Sequence, residues 1–410
     1  MTQEATYVEP VRPAPLLVAW RDDAVVFSVV VFIVLRLVTA IAAIIMIQNV
    51  PAPPPRWLDW NPSGQTFEQA LLPNAPFSNV VSPWHRYDTA WYVKVAIQGY
   101  RADDPAIAFP PLYPLLIRMT APFLGGNYVL AALVISNIAC LIAFILLFKL
   151  IEQEFKDSGL ARRTLVILAA FPTAFYLVAG YTEPIYLALT LGAFLAAFKR
   201  QWWLAGFLAA LGALTRLQGA ILCVPLAWIA YVQYRERGVK AIVERLPVVL
   251  GSVIAVGGYL MYLAVNHLGS LEAAYETEWN LYTRLPINAF VDFFNRLTHG
   301  QAAPFENDNA FALLLIIVFG IIVTIKFRPA YSLYVWTTLG MILLRYHYAP
   351  GVQSLPQFES VIRYALLMFP CFIAAAMILR EWWMVGLYGI GFGQWMLYLL
   401  NNFTHWIWVA

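Results

Sequence analysis

The greatest concentration of reactive side chains lies in Trp84-His85-Arg86-Tyr87-Asp88-Thr89-Ala90-Trp91-Tyr92, where a carboxylate, an arginine, a histidine and four aromatics share nine positions. Such a cluster can grip an anionic headgroup, stack on a sugar and take up a proton. Asp88 is the leading candidate for the last of these. A carboxylate flanked by Trp84, Tyr87 and Trp91 has its pKa raised by desolvation or lowered by Arg86, and either way can serve as general base toward a hydroxyl. The local alternative is a helix N-cap, since Asp is a favoured cap and a helix running toward Gly99 would begin here. His85 and Arg86 are candidates for holding the phosphate or sugar of a donor. Trp84, Tyr87, Trp91 and, further along, Tyr113 are candidates for aromatic contact with the substrate.

Other charged residues stand out because their neighbours are apolar. Arg36 falls near the middle of a long apolar run, where an arginine costs several kcal/mol unless paired; Glu183 or a lipid phosphate are the possible partners. Arg216, between Thr215 and Gln218, suits either a phosphate or the backbone carbonyls of a broken helix. Glu183 follows Gly180-Tyr181-Thr182 at an expected tight turn and reads as a second acid or as a carboxylate on a helix N-terminus. Arg345, His347 and Arg363 form the densest cationic group of their region, and cations there suit a phosphate leaving group. Asp103-Asp104 can bind a divalent cation or form a turn before Pro105. Walker, dinucleotide-binding and zinc-protease motifs are absent, so those chemistries have no support. No cofactor is expected, and metal independence is the default.

These residues must be positioned by elements that span a bilayer. Of the 410 residues 61% are hydrophobic and 12% charged, with mean hydropathy +0.68. A soluble domain of that composition would expose much of its apolar surface to water. Long runs such as Val25–Ile47 and Val129–Leu150 specify helices, because barrel strands would alternate over about ten residues. The expected class is an all-α polytopic membrane protein forming a single domain over 1–410. A net charge of +3 gives no reason to expect nucleic acid. Cys140, Cys223 and Cys371 all lie inside apolar runs and read as buried thiols.

Spans are expected at Val25–Ile47, Val129–Leu150, Leu165–Ala179, Pro184–Phe198, Trp203–Leu214, Leu217–Val232, Val248–Val265, Ala310–Ile325, Tyr331–Leu344, Val361–Leu379 and Trp383–Leu400. If the short basic loops are all cytoplasmic, the N-terminus is inside, the C-terminus outside, and the chain crosses about eleven times. That count requires a hairpin or broken helix at Thr215-Arg216-Leu217-Gln218-Gly219. The domain then divides into the first span (25–47), an outer loop (48–127), a helical core (128–265), a second outer loop (266–309) and C-terminal helices (310–410), with Arg345 to Ser360 as a third outer segment. The first loop holds the Pro-rich 51–55 and two pieces expected at the interface. One is a helix from Asp88 to Tyr100 with Trp91, Tyr92, Val95, Ala96 and Gly99 on one side; the other is Phe109 to Arg118.

The quoted residues resemble the PIG-V family of GT-C membrane glycosyltransferases, particularly its bacterial members. The likeness rests on Tyr87-Asp88-Thr89-Ala90-Trp91-Tyr92 through Gly99-Tyr100, on Phe109-Pro110-Pro111-Leu112-Tyr113-Pro114, on Tyr181-Thr182-Glu183 and on Trp203-Leu204-Ala205-Gly206 through Leu214-Thr215-Arg216. Arg363-Tyr364 with Phe369-Pro370 completes the series, and Trp279, Arg284 and Pro286 match more weakly. Two departures are Tyr87, where the family usually has Trp, and Leu217-Gln218, where Pro is common. The resemblance implies a GT-C-like fold and inverting transfer of a mannosyl unit from a polyprenyl-phosphate-linked donor to an acceptor hydroxyl, on a lipid, glycan or protein. It places Asp88 as the base at the non-cytoplasmic face, in a bacterial plasma membrane, with membrane lipids around the donor tail. The rival expectations are another lipid-linked sugar transferase on the same scaffold and a non-catalytic lipid transporter or flippase.

Overall fold

The computed structural model describes residues 23–49, 78–102, 104–243, 245, 250–352 and 355–409. The Pro-rich 51–55 and Asp103 lie outside them. Among the described residues four helices are long and apolar enough to cross a membrane: Asp23–Gln48, Tyr128–Phe155, Leu217–Arg237 and Pro304–Lys326. The chain is therefore an all-α membrane protein in its main architecture. Helix α1 (Asp23–Asn49) buries Val31 and Leu35 but turns Val30, Ile33, Val34 and Leu37 outward, as lipid in place of water allows. Shorter helices follow: α2 (Asp88–Gln98), then α3 (Leu112–Thr120), where Tyr113 is fully buried. The buried face of α2 is Thr89, Ala90, Tyr92, Val93, Val95 and Ala96, so Trp91 sits at its margin.

The core is built on α4 (Tyr128–Phe155), α5 (Ser158–Ala169) and α6 (Glu183–Phe198). Nearly every side chain of α6 is buried, and it packs against α4 and α7 (Trp202–Thr215). A helix apolar on all faces belongs at the centre of such a bundle. The expected span Leu165–Ala179 is not one helix. The α5 helix starts earlier, in the basic loop, and stops at Ala169, because Pro172 disfavours helical backbone at Phe171. Residues 171–182 continue as buried irregular chain. Val361–Leu379 likewise divides into α14 (Val361–Ala365) and α15 (Phe369–Ile378), parted just before Pro370.

The hairpin expected around Thr215 to Gly219 is present. Arg216 is extended (φ −149°, ψ 132°), a 3₁₀ segment covers Leu217–Leu222, and α8 (Cys223–Tyr234) returns. The indole of Trp202, at the start of α7, donates to the Tyr234 hydroxyl at the end of α8, 3.1 Å away. The two legs therefore run antiparallel. Gly219 permits the tip: a Cβ there would stand 2.5 Å from the Ala213 backbone.

After α9 (Gly251–Val265) come α10 (Leu271–Trp279), β1 (Leu281–Thr283), α11 (Pro286–Thr298), α12 (Pro304–Lys326), α13 (Pro329–Leu343), β2 (Arg345–His347), α14, α15 and α16 (Trp382–Thr404). The helical class gains one feature absent from the sequence reading, an antiparallel ribbon in which Leu281 faces His347 and Thr283 faces Arg345. It ties the second and third loop segments together. At the far end of the bundle, Arg162 pairs with Asp23, Arg328 Nε lies 3.1 Å from Glu154, and Arg237 and Arg245 lie over the Tyr234 ring. The basic loops thus meet at one end and the candidate site forms at the other.

Candidate active site

Asp88 is the first residue of α2, and it is not the cap. The cap position is Tyr87, at φ 50° and ψ −117°, with no side-chain capping bond. A non-glycine residue with that backbone is strained, and the surroundings must hold it. Phe403, Trp406 and Trp408 do so, with ring centroids 5.8, 5.2 and 5.2 Å from that of Tyr87. Thr89 Oγ1 donates to the Gly180 carbonyl at 3.1 Å, and a Cβ on Gly180 would come within 2.9 Å of the Thr89 methyl. The first turn of α2 is therefore pressed against the residue 171–182 segment. That contact fixes where Asp88 points.

The carboxylate of Asp88 faces Arg363, with Oδ2 2.9 Å from Nη1 and the side chain 19% exposed. Arg363 continues the chain of charges inward, its Nε 3.0 Å from Glu183 Oε1. The same Glu183 oxygen is 2.6 Å from Arg216 Nη1, and Arg216 Nη1 also donates to Thr182 Oγ1 at 3.0 Å. Glu183 has no exposed surface. A lone carboxylate there would cost several kcal/mol, and two guanidiniums offset that cost. The structure puts Glu183 behind the cleft wall as the anion holding Arg216 and Arg363 in place, not among the groups facing the cleft. Its expected alternative as a second acid is not served by that position.

The cleft, with a cavity volume of about 100 Å³, is lined by Asp88, Tyr92, Phe109, Arg216, Gln218, Tyr275, Trp279, Arg345, His347, Glu359, Arg363, Tyr364 and Trp408. Seven stretches separated in sequence meet here. Three arginines line it, and their guanidiniums surround the Tyr364 ring at 4.9, 5.5 and 5.4 Å for Arg216, Arg345 and Arg363. Arg345 Nη1 donates to the Tyr364 hydroxyl at 2.5 Å. His347 Nε2 is 3.4 Å from Glu359 Oε2. Burial and the nearby Arg345 lower the His347 pKa to about 4, so the ring is neutral. Partial burial of its side chain, 27% exposed, together with the Glu306 charge raises the Glu359 carboxyl to about 7 against the pull of Arg345.

The loop bearing Glu359 and Arg363 is pinned from α12. Glu306 Oε1 accepts from the Gln357 amide at 2.9 Å, and Glu306 pairs with Arg296 at 3.0 Å. Asn309 Oδ1 accepts from the Ile362 amide at 2.8 Å. Gln357 bonds the His347 backbone in both directions, at 3.1 and 2.8 Å. Backbone groups buried in this way need partners, and meeting that need gives the loop a single position.

Of the residues singled out from sequence, Asp88, Arg216, Arg345, His347 and Arg363 reach the cleft. Tyr92, Phe109, Gln218, Trp279 and Tyr364, quoted from the sequence without a site role, also line it, while the remaining site candidates lie outside its lining. His85 is fully buried, and burial together with Arg86 pushes its pKa down to about 3, so it carries no charge for a phosphate. Arg86 spends its donors on the carbonyls of Thr404, Ser82 and His85 at 2.9, 2.8 and 3.1 Å and lies over Trp406. Trp84 lies under Arg36, whose guanidinium reaches the Val178 carbonyl at 3.5 Å instead of Glu183. Tyr113 donates to Ala132 O at 2.9 Å and bonds Ser136 Oγ at 2.7 Å. Trp91 stacks on Phe109 and meets Trp279 edge-on, backing two wall residues. Tyr87 packs under the C-terminal aromatics. Helix starts and core contacts absorb these polar and aromatic groups.

Glu359, Tyr275 and Trp408 were not singled out. The signal available for Glu359 was that it is the sole carboxylate between Arg345 and Ser360. Nothing local marks Trp408. Among the described residues no group of three or more His, Cys, Asp or Glu is placed to hold a metal.

Residues 24–241 match the family described as mannosyltransferase (PIG-V). GPI mannosyltransferase 2 of Schizosaccharomyces pombe is 28% identical over 152 residues, 36% of this chain and 32% of the relative. GPI mannosyltransferase 2 of Yarrowia lipolytica is 26% identical over 206 residues, 48% of this chain and 54% of the relative. The chain thus spans from about a third to about half the length of the curated relatives it matches. No solved structure matches it. The family match takes in Asp88, Glu183 and Arg216, while Arg345, His347, Glu359 and Arg363 lie beyond it. Covering more than half of the sequence, that match makes this chain a member of the PIG-V mannosyltransferase family.

Proposed function

We propose that the protein transfers a mannosyl residue, with inversion, from a polyprenyl-phosphate-linked donor to an acceptor hydroxyl on a lipid, glycan or protein. The observation that carries this reading is the cleft in which a partly exposed Asp88 shares its walls with Arg216, Arg345 and Arg363 in a chain of this family. Asp88 takes the proton of the acceptor hydroxyl as that oxygen bonds to the anomeric carbon. On the opposite side of that carbon the bond to the phosphate oxygen breaks, and the electron pair leaves with the prenyl phosphate. Arg363 holds one Asp88 oxygen at 2.9 Å and so sets the direction of the other; an ionised carboxylate keeps several lone-pair sites free. Charge building on the departing phosphate falls to the arginines, in a site where fixed cations need no reorganisation. No metal or other cofactor is invoked, because guanidiniums supply the positive charge.

The cleft lies at the end opposite the basic loops, which supports a site on the non-cytoplasmic face. The same alternation of ends supports about eleven crossings in a single membrane domain; a GT-C-like arrangement in a bacterial plasma membrane is what the family resemblance implies. The test is transfer of labelled mannose from a polyprenyl-phosphate donor to extracted lipids and peptides. Wild type is expected to form product, and Asp88→Asn to lose about 10²–10⁴-fold in rate, the share a positioned base contributes. Equal rates for the two proteins would remove Asp88 from its role, and absence of product from wild type across a panel of lipid-linked sugars would overturn the reading.

A further inference from the structure

Three carboxylates belong to the cleft or its backing, and two are accounted for: Asp88 by Arg363, and Glu183 by Arg363 and Arg216. Glu359 differs. Its side chain, 27% exposed, lies 3.4 Å from Nε2 of the neutral His347 ring, and the cation whose charge reaches it is Arg345. Facing it are Arg345 and His347 from β2, Glu306 from α12, Arg363 and Tyr364 from α14, and Asp88 across the cleft. Glu306 adds negative potential but is already engaged by Arg296. Arg345 gives its short bond to the Tyr364 hydroxyl. An ionised Glu359, only partly offset by Arg345, would oppose the anion that the arginines of this cleft are placed to attract.

We propose that Glu359 is protonated when the donor's phosphate is bound, and that with His347 it forms a proton-carrying contact to that phosphate. The proposal rests on the donor reading given above and adds a residue to it. In the bound state the Glu359 O–H donates to a phosphate oxygen beside Arg345. During transfer the C–O bond to phosphate breaks and the electron pair stays on the phosphate oxygen. The Glu359 proton then passes to the prenyl phosphate, leaving Glu359 as a carboxylate, and solvent returns the proton in the next cycle. The match in proton affinity is reasonable: Glu359 is raised to about 7 by burial, and a phosphate monoester takes its second proton near pH 6. Release of product follows from the same chemistry, since a newly formed Glu359 carboxylate repels the phosphate it has just served.

The test uses the full-length protein in detergent and a short-chain prenyl phosphomannose, whose phosphodiester keeps one charge near neutral pH. Calorimetric titration in buffers of differing ionisation enthalpy reads the protons taken up. Wild type is expected to take up about one proton per ligand above neutral pH, with affinity falling about tenfold per pH unit there. Glu359→Gln is expected to bind with flat pH dependence and no proton uptake, and Glu359→Asp to keep the uptake. Binding by wild type without pH dependence, or the same dependence in Glu359→Gln, overturns the role of Glu359 while leaving the donor reading intact. If wild type does not bind the phosphomannose at all, the donor reading fails and this inference with it.

Discussion

Two carboxylates that share Arg363 should respond differently to loss of charge. Glu183 sits between Arg216 and Arg363 with no solvent access. Glu183→Gln leaves Arg216 buried without its anion and Arg363 with Asp88 alone, which costs about 3–5 kcal/mol. Thermal unfolding of the purified variant should show that loss, together with lost activity. Asp88 is 19% exposed, and its partner Arg363 keeps Glu183. Asp88→Asn should therefore unfold within about 1 kcal/mol of wild type, the usual worth of an accessible pair, while losing turnover. A melting shift for Asp88→Asn as large as that for Glu183→Gln would mean that Asp88 is structural. The burial difference behind this contrast is invisible in sequence, where both read as an acid opening a helix.

At the level of elements, the hairpin between α7 and α8 decides where Arg216 stands. A polar, turn-forming cluster inside an apolar run marks the break, and the antiparallel return is confirmed by the Trp202 to Tyr234 bond. Gly219→Ala should be poorly tolerated, because its Cβ would meet backbone at 2.5 Å and backbone cannot rotate away. Overpacking of this kind costs about 1–3 kcal/mol. The tip must then shift, taking Arg216 with it, so donor affinity should fall along with the melting temperature. Normal melting and normal donor binding in Gly219→Ala would show that the tip is looser than the geometry indicates. The strained Tyr87 illustrates the converse. Its backbone is held by rings from the far C-terminus, and no propensity argument at residue 87 could have exposed it.

Across the whole molecule, charge is sorted to two ends. Arg162, Arg237, Arg245 and Arg328 gather at one, and the cleft opens at the other. Single cysteines introduced at the exposed Glu236 and Glu272 should be labelled by a membrane-impermeant maleimide from opposite sides of sealed vesicles, in a background lacking Cys140, Cys223 and Cys371. Labelling of both from the same side would contradict the alternation of crossings on which the outer-face site depends.

The apolar runs, the broken helix and the unusual aromatic and charged cluster are local properties, and hydropathy and turn chemistry expose them without reference to distant contacts. By itself the sequence therefore determined a helical membrane protein with its basic loops on one side, and it singled out Asp88, Arg216, Arg345, His347 and Arg363. Helix ends were less legible where proline cut a run short, as at Phe171 and before Phe369. Tertiary structure alone decided which polar residues face the cleft and which are consumed inside the fold. His85 and Arg86 share the stretch that holds Asp88, yet both turn away from the cleft, toward backbone carbonyls and core. Glu359 enters it because Glu306, Asn309 and Gln357 pin its loop from another helix. The physical reason is that a buried polar group goes where its hydrogen bonds and charges can be met, and those partners lie on other elements, up to 318 positions away in the chain.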